Sequence, residues 1–152
     1  MKRIVWVLVL LLFLVACSDD EEKQVSPNER FSDFIALWSE QKFEQMYEMF
    51  SEETKETVSK EESVERYAKI YGDLNIENIH ITFDEVSEEK LEQLEELEEE
   101  NPTVKIPFQL EMDSFAGEIS FEYEAELVQA PVSDEEDAEL SWFVNWDSGF
   151  IH

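Results

Sequence analysis

The chain has 152 residues, of which 39 are acidic and 11 basic, and its formal net charge is −28. A surface this negative repels phosphate backbones and anionic lipid head groups, which excludes nucleic-acid binding and electrostatic attachment to a membrane. The length suits one domain, and 11 Phe, 4 Trp and 4 Tyr supply apolar surface for its core, so the high charge does not indicate disorder.

The N-terminus has the pattern of an export signal. Lys2 and Arg3 precede an unbroken apolar run from Ile4 to Ala16, which is shorter than the roughly 20 helical residues that cross a bilayer. The sequence Leu14-Val15-Ala16-Cys17 resembles a bacterial lipobox, in which the cysteine receives a diacylglycerol and becomes the first mature residue. We therefore predict a lipid on Cys17 that anchors the protein at the extracytoplasmic face of the cell membrane.

This pattern divides the chain into three parts: a lipoprotein signal peptide at 1–16, the lipidated cysteine with an acidic tether at 17–28, and one domain at 29–152. Two other interpretations fit less well. Ordinary secretory cleavage favours small residues at the first and third positions before the cut, and Leu14 is large. An uncleaved anchor is usually longer. A lone thiol in an exported protein also has no disulfide partner, so lipid attachment gives Cys17 a use.

Helices are predicted in the first half of the domain. Ser26, Pro27 and Glu29 combine an N-cap, a proline at the first helical position and the acid of a capping box. An apolar stripe at helical spacing follows. After an interruption it continues one residue out of phase with the first part, which predicts two helices with a break at 40–42. A second capping box, Ser59 to Glu62, opens a helix that Gly72 ends. The apolar positions are Phe31, Phe34, Ile35 and Trp38, then Phe43, Met46, Tyr47 and Phe50, and later Val64, Tyr67, Ala68 and Tyr71.

After Gly72 apolar and polar residues alternate, which is the period of a strand with one buried face. Four strands are predicted, with a turn from Ser114 to Gly117, and Pro107 indicates an edge strand or a bulge. Neighbouring strands joined by short turns pair antiparallel, so we predict an α+β fold with N-terminal helices packed on a curved sheet. The alternating residues are Ile79, Ile81 and Phe83; Val104, Ile106, Phe108, Leu110 and Met112; Ile119, Phe121, Tyr123, Ala125 and Leu127; and Leu140, Trp142, Val144 and Trp146.

A glutamate-rich segment from Glu88 to Glu100 separates the first two strands. Its glutamates three and four residues apart repel one another, so a helix here is marginal unless Leu91, Leu94 and Leu97 dock. We predict a solvated surface helix that ends before Pro102.

One family resembles this chain in several segments. These are Val64-Glu65-Arg66-Tyr67-Ala68-Lys69-Ile70-Tyr71, the turn Leu74-Asn75-Ile76, and Trp142-Phe143-Val144-Asn145-Trp146-Asp147 with Phe150-Ile151. The family is the N-terminal, nuclear-transport-factor-like domain of low-affinity class B penicillin-binding proteins and their lipoprotein relatives in Gram-positive bacilli. The resemblance, from about Glu29 to Ile151, implies a cone-shaped α+β domain without catalytic residues. It implies a stalk that lifts a transpeptidase toward peptidoglycan and contributes to the response to β-lactam antibiotics.

The catalytic motifs of that family are not formed in this sequence. Such transpeptidases use S-x-x-K, S-x-N and K-[ST]-G. Ser39 to Lys42 and Ser87 to Lys90 match the first pattern and Ser26 to Asn28 the second, but no K-[ST]-G occurs. We therefore expect no enzyme activity and no cofactor. The sequence ends at His152, where the family's sequences run on, so a stand-alone copy and a truncated reading frame both stay open.

Folds of this type sometimes hold a catalytic carboxylate and a tyrosine inside the cone. His80 alternates with Ile79 and Ile81, which places it away from the core, and a strand-end residue such as Asp147 commonly caps a turn. Two alternatives to the stalk remain: a free-standing lipoprotein that binds a small ligand or partner in its cone, and, less favoured, a cone-type enzyme. The candidate groups are Asp147, His80, Tyr47, Tyr67, Tyr71 and Tyr123.

No metal site is predicted. The acidic runs 19–22 and 134–137 lack the spaced oxygen ligands and central glycine of a calcium loop. One cysteine and two histidines give zinc no plausible ligand set. The expected partners are the membrane, through the lipid on Cys17, and peptidoglycan or a cell-wall synthesis protein.

Overall fold

The computed structural model describes residues 25–96, 100–133 and 138–146, and within these ranges helices pack on a curled antiparallel sheet. Its four strands lie in the order β1-β2-β3-β4, each antiparallel to its neighbour. The predicted α+β cone is therefore confirmed. The elements are α1 (Pro27–Ser39), α2 (Phe43–Glu48), α3 (Glu52–Thr57), α4 (Lys60–Leu74), β1 (Glu77–Phe83), α5 (Glu88–Glu96), β2 (Thr103–Ser114), β3 (Gly117–Pro131) and β4 (Leu140–Asn145).

The first helix begins at the predicted capping box. The Ser26 hydroxyl accepts a hydrogen bond from the Glu29 amide at 3.2 Å, and the Glu29 carboxylate accepts one from the Ser26 amide at 3.0 Å. The predicted break is also confirmed, because Gln41 has a φ of 56° and α2 begins two residues later. The break turns the chain so that Phe43 and Met46 are buried in the same core as α1.

The C-terminal end of α4 differs from the prediction. Gly72 lies inside the helix, and Asn75 ends it with a left-handed φ of 48° and an amide bonded to the Gly72 carbonyl at 3.2 Å. Asparagine tolerates this conformation because its short polar side chain can bond locally. Ala68, predicted in the apolar stripe, is exposed, because the buried face of α4 passes through Tyr67 and Tyr71.

We expect Gly72→Ala to stabilise the domain by roughly 0.5–1 kcal/mol, because alanine is favoured over glycine in a helix interior. A Cβ at position 72 would meet no atom within 4 Å, so no clash opposes the gain. Urea unfolding of the wild type and the variant measures the difference. Asn75→Ala is the matched variant and should lower the free energy of unfolding, because alanine is strained at a φ of 48°. A Gly72→Ala variant that is less stable than the wild type would contradict the assignment of Gly72 to the interior of α4.

β2 is the centre of the apolar inner face. Its register pairs Leu110 with Phe121 of β3 and with Ile81 of β1, so these three side chains share one face. His80, one residue out of step, is exposed on the outer face, as predicted. Every inward residue of β2 is buried: Val104, Ile106, Phe108, Leu110 and Met112.

Pro107 lies in a strand with neighbours on both sides, so the prediction of an edge strand is wrong. It is also no bulge, since the irregularity in this part of the sheet lies between Glu77 and His80. The Pro107 carbonyl accepts a hydrogen bond at 3.0 Å from Asp84, the first residue after β1. In an antiparallel ladder the N–H and C=O of one residue face the same neighbour. The side of Pro107 on which an N–H is missing therefore faces β1, and at this position β1 has already ended.

The glutamate-rich segment forms α5, which docks through its leucines. Leu91 and Leu94 are half-buried against the core, whereas Leu97 lies outside the described residues. Asn28 of α1 fixes the loop before α5, since its side chain bonds both the amide and the carbonyl of Val86 at 2.9 Å. The helix is thus attached to the domain by one apolar face.

Candidate functional site

Aromatic rings fill the inside of the cone. Trp38 of α1 is fully buried, and its ring centroid lies 5.3 Å from that of Trp146 and 6.0 Å from that of Phe34. Phe43 of α2 stacks on Tyr67 of α4 at 5.1 Å. Edge-to-face and stacked ring pairs of this kind add stability beyond their buried area. The described interior therefore contains closely packed aromatic side chains.

Two tyrosine hydroxyls of α4 are buried among these rings. The Tyr71 hydroxyl accepts a hydrogen bond from the Trp38 indole, and burial raises the pKa of Tyr71 to about 12. Burial raises the pKa of Tyr67 further still, with a smaller opposing effect from the Trp146 indole. Both phenols stay neutral at physiological pH, which makes them poor candidates for a catalytic base.

The raised pKa of Tyr71 predicts a loss of stability in alkali. The unfolded phenol ionises near pH 10, whereas the folded one keeps its proton to about pH 12. Between these values the folded state binds more protons, so the free energy of unfolding falls as the pH rises, and the contribution is fully present only below about pH 10. Urea midpoints between about pH 9 and about pH 11 measure the slope. A Tyr71→Phe variant with the wild-type slope would contradict the assignment.

The other candidate groups do not join this pair. His80 is exposed on the outer face of β1. The Tyr47 hydroxyl donates to the Val58 carbonyl at 2.9 Å. Tyr123, on the inner face of β3, is 38% exposed, and Asp147 lies outside the described residues. The structure thus brings two tyrosines together and places no described carboxylate among the buried residues of the cone.

A buried polar cluster, which the sequence did not reveal, ties α3 to the end of β4. The hydroxyls of Ser51 and Thr54 lie 3.0 and 3.3 Å from Oδ1 of Asn145. The Thr54 hydroxyl also accepts a hydrogen bond from the Trp146 amide at 2.8 Å. Ser51 caps α3, and this local signal could have predicted the short helix. Its partners about 90 residues away have no local signal.

Within residues 25–96, 100–133 and 138–146, no group of three His, Cys, Asp or Glu is arranged to hold a metal. No helix in those ranges is long and apolar enough to span a bilayer. Cys17 and the run 134–137 lie outside the described residues. The two S-x-x-K strings fall at the end of α1 and the start of α5.

The depressions on the described surface include the following two. One of about 130 Å³ lies beneath α5 and is mainly apolar. The other, of about 350 Å³, lies between β1, β2 and β3. The first is lined by Val25, Ser26, Pro27, Leu91, Leu94, Pro102, Gln129 and Trp142.

Helices packed in a curled antiparallel half-barrel define an α+β cone of the nuclear-transport-factor-2-like class. Residues 26–152 match the family model described as the NTF2-like N-terminal transpeptidase domain, and the chain belongs to this family. The resemblance predicted from the sequence is therefore confirmed.

A curated relative gives the same result. The chain is 33% identical over 149 residues to penicillin-binding protein 3 of Bacillus subtilis (strain 168). The aligned segment covers 97% of this chain and 20% of that protein. The chain thus spans about a fifth of the length of that relative. The part matched is the N-terminal, non-transpeptidase domain. These matches support a non-catalytic domain related to penicillin-binding proteins.

Proposed function

We propose that this chain is a lipid-anchored spacer on the extracytoplasmic face of the cell membrane. In this role it carries a transpeptidase away from the lipid on Cys17 toward peptidoglycan, and supports cell-wall synthesis and the response to β-lactam antibiotics. The family match supports the relation to penicillin-binding proteins. The lipobox-like sequence before Cys17 supports the anchor.

The direction of the chain through the domain carries the spacer proposal. Val25 lies by Pro102 and Gln129, at the end of the sheet where β2 begins. β4 runs from Leu140, opposite Pro131, to residue 145, opposite residue 126. At about 3.3 Å per residue, the strand moves the chain roughly 17 Å away from the end where it enters. A domain that receives the chain at one end and sends it toward the other adds height above the membrane.

Rigid attachment of the helices to β4 also suits a spacer. The Arg30 guanidinium donates to the Trp142 carbonyl at 2.9 Å, which fixes α1 to the strand. Val144 donates to the Met49 carbonyl at 2.8 Å and accepts from the Ser51 amide at 2.9 Å. These contacts lock the strand to the helical layer on the side away from β3, so a load on the strand reaches the whole core.

The acidic surface is consistent with a domain held off the bilayer. The formal charge of −28 repels the anionic head groups of a bacterial membrane, so only the acyl chains on Cys17 would bring the chain close. The ligand-binding alternative is less favoured, because aromatic rings pack closely in the described interior of the cone.

An immunoblot of the membrane fraction from the source cells tests the spacer proposal. Antiserum against residues 29–152 is combined with a fluorescent penicillin that labels active transpeptidases. We expect one membrane band far larger than 18.0 kDa that carries both signals. A single band near the mature size without the penicillin label would contradict the proposal. The free lipoprotein would then be the better account.

A further inference from the structure

The tip of the β2–β3 hairpin exposes a large aromatic side chain. The two strands pair up to Ser114 and Gly117, so the loop between them consists of Phe115 and Ala116. The Phe115 side chain is 72% exposed, the largest value among the exposed large hydrophobic side chains of the described residues. A phenylalanine ring left in water forgoes the free energy that its burial would release.

The turn itself gives no reason for a phenylalanine at position 115. The Ser114 hydroxyl donates to the Gly117 carbonyl at 2.8 Å and accepts a hydrogen bond from the Ala116 amide at 3.2 Å. Gly117 supplies the positive φ of 121°. Two-residue hairpin loops favour Gly, Asn and Asp. Serine and glycine at the ends of this loop therefore determine the turn, and the aromatic ring adds nothing to it.

The backbone of this tip is fixed to the rest of the domain. The Phe115 amide donates to the Leu74 carbonyl at 3.0 Å, at the end of α4. The Asn78 side chain of β1 donates to the Asp113 carboxylate at 2.8 Å. Both hydrogen bonds join the tip to elements that pack on the core. A side chain on a preorganised backbone loses less conformational freedom when it binds, which favours its use as an anchor.

Three exposed carboxylates lie in register next to this loop. The sheet pairs Glu77 of β1 with Asp113 of β2, and Asp113 with Glu118 of β3. Residues directly opposite one another share a face of the sheet, and like charges in these positions destabilise it. The side-chain amides of Asn75 and Asn78 donate to Glu77 and Asp113. These amides carry no charge, so the repulsion remains. The domain thus keeps a row of negative charge that lowers its stability.

We propose that Phe115 with the row Glu77, Asp113 and Glu118, together called the tip surface, is a docking site for a protein. The partner has an apolar pocket rimmed by lysine or arginine side chains. The Phe115 ring fills the pocket, as aromatic anchors at the centre of interfaces do. The three carboxylates pair with the basic rim, which speeds association and selects the partner.

The charge of the tip surface disfavours other occupants. A second copy would bring its own row of carboxylates against this one, and each chain carries a formal net charge of −28. Anionic lipid head groups are repelled for the same reason. A basic protein surface is the occupant whose charge is complementary to the row.

The tip surface lies far from the point where the chain enters the domain. Val25 lies by Pro102, just before β2 begins at Thr103, whereas Phe115 follows the end of β2 at Ser114. The strand separates these points by up to roughly 35 Å. That the tip surface faces away from the membrane rests on the proposed spacer function, but the docking itself does not.

Photo-cross-linking of the full chain in the source cells tests the docking. The photoreactive residue p-benzoylphenylalanine replaces Ala116, which is exposed and leaves the Phe115 ring intact. We expect an adduct with another protein, cross-linked at an apolar site that adjoins lysine or arginine residues, as located by mass spectrometry. An adduct with a second copy, with lipid or with muramidase-sensitive wall material would overturn the proposal. So would a cross-link within the chain, or no adduct at all.

Variants of the cross-linking chain separate docking from folding. Phe115→Ala and Glu118→Lys should each lower the adduct yield at least tenfold, whereas the matched controls Val132→Ala and Glu56→Lys, at exposed positions elsewhere, should keep it. Glu118→Lys places opposite charges across from each other at Asp113, so its urea midpoint should equal or exceed that of the wild type. An undiminished adduct in Phe115→Ala or Glu118→Lys would overturn the proposal, whatever the penicillin label shows.

Discussion

Trp38→Ala is expected to lower the free energy of unfolding by about 3–5 kcal/mol, as truncations of large buried aromatic side chains do. Domains of this size are typically stable by only about 5–15 kcal/mol, so the variant should lie close to unfolding at room temperature. Trp38 is fully buried and its ring contacts Phe34, Tyr67 and Trp146. Urea unfolding followed by far-ultraviolet circular dichroism measures the loss.

Two further variants separate the causes of that loss. Trp38→Phe keeps a ring in the core but removes the indole N–H that donates a hydrogen bond to the Tyr71 hydroxyl. We therefore expect it to lower the free energy of unfolding by an intermediate amount, about 1–3 kcal/mol. Val132→Ala truncates a side chain that is 53% exposed and should stay within about 0.5 kcal/mol of the wild type. A Trp38→Ala variant as stable as Val132→Ala would mean that the cone is not held together by its rings.

Features that depend on neighbouring residues were predictable from the sequence. The capping box at Ser26 and Glu29 formed as predicted, because its atoms are three residues apart and need no tertiary partner. The inward residues of β2 are all buried, because period-two alternation determines which face meets the core. The break between α1 and α2 likewise followed from a change of phase in the apolar stripe.

Predictions failed where a partner distant in sequence decides the outcome. Pro107 is tolerated in a central strand because β1 ends beside it, and the position of that end is a property of the sheet. α4 continues through Gly72 to Asn75, because Tyr71 and the helix end pack on the core and a single glycine costs only about 1 kcal/mol. The cluster of Thr54 and Asn145 joins residues 91 positions apart.

For the candidate site, too, local patterns predicted correctly, whereas distant contacts decided what the sequence left open. The alternation of β1 correctly placed His80 on the outer face. From the sequence, Tyr67 and Tyr71 were possible catalytic groups, because tyrosines at this spacing on one helix can face either a cavity or a core. Only the packing of Phe43 and Trp38 against them decides for the core.

Cys17→Ser is expected to abolish lipid attachment. Incorporation of labelled palmitate should fall to background, and the share of the protein in the membrane pellet should drop at least tenfold. Each buried CH₂ of an acyl chain contributes about 0.8 kcal/mol, so two chains anchor a protein far more firmly than one. The serine hydroxyl cannot replace the thiol as acceptor of the diacylglycerol. The acidic surface offers no attraction to anionic lipid that would compensate for the loss.

Ser18→Ala is the matched control, because it changes the adjacent side chain and keeps the thiol. It should retain both the palmitate label and the membrane pellet share. The apolar run before Cys17 is shorter than a membrane-spanning helix, so an uncleaved signal peptide is expected to hold the variant only weakly. Palmitate label retained in Cys17→Ser would contradict lipidation at this residue. Loss of the label with a pellet share unchanged after an alkaline wash would mean that another segment anchors the chain, and the proposed height of the spacer would then be measured from that segment.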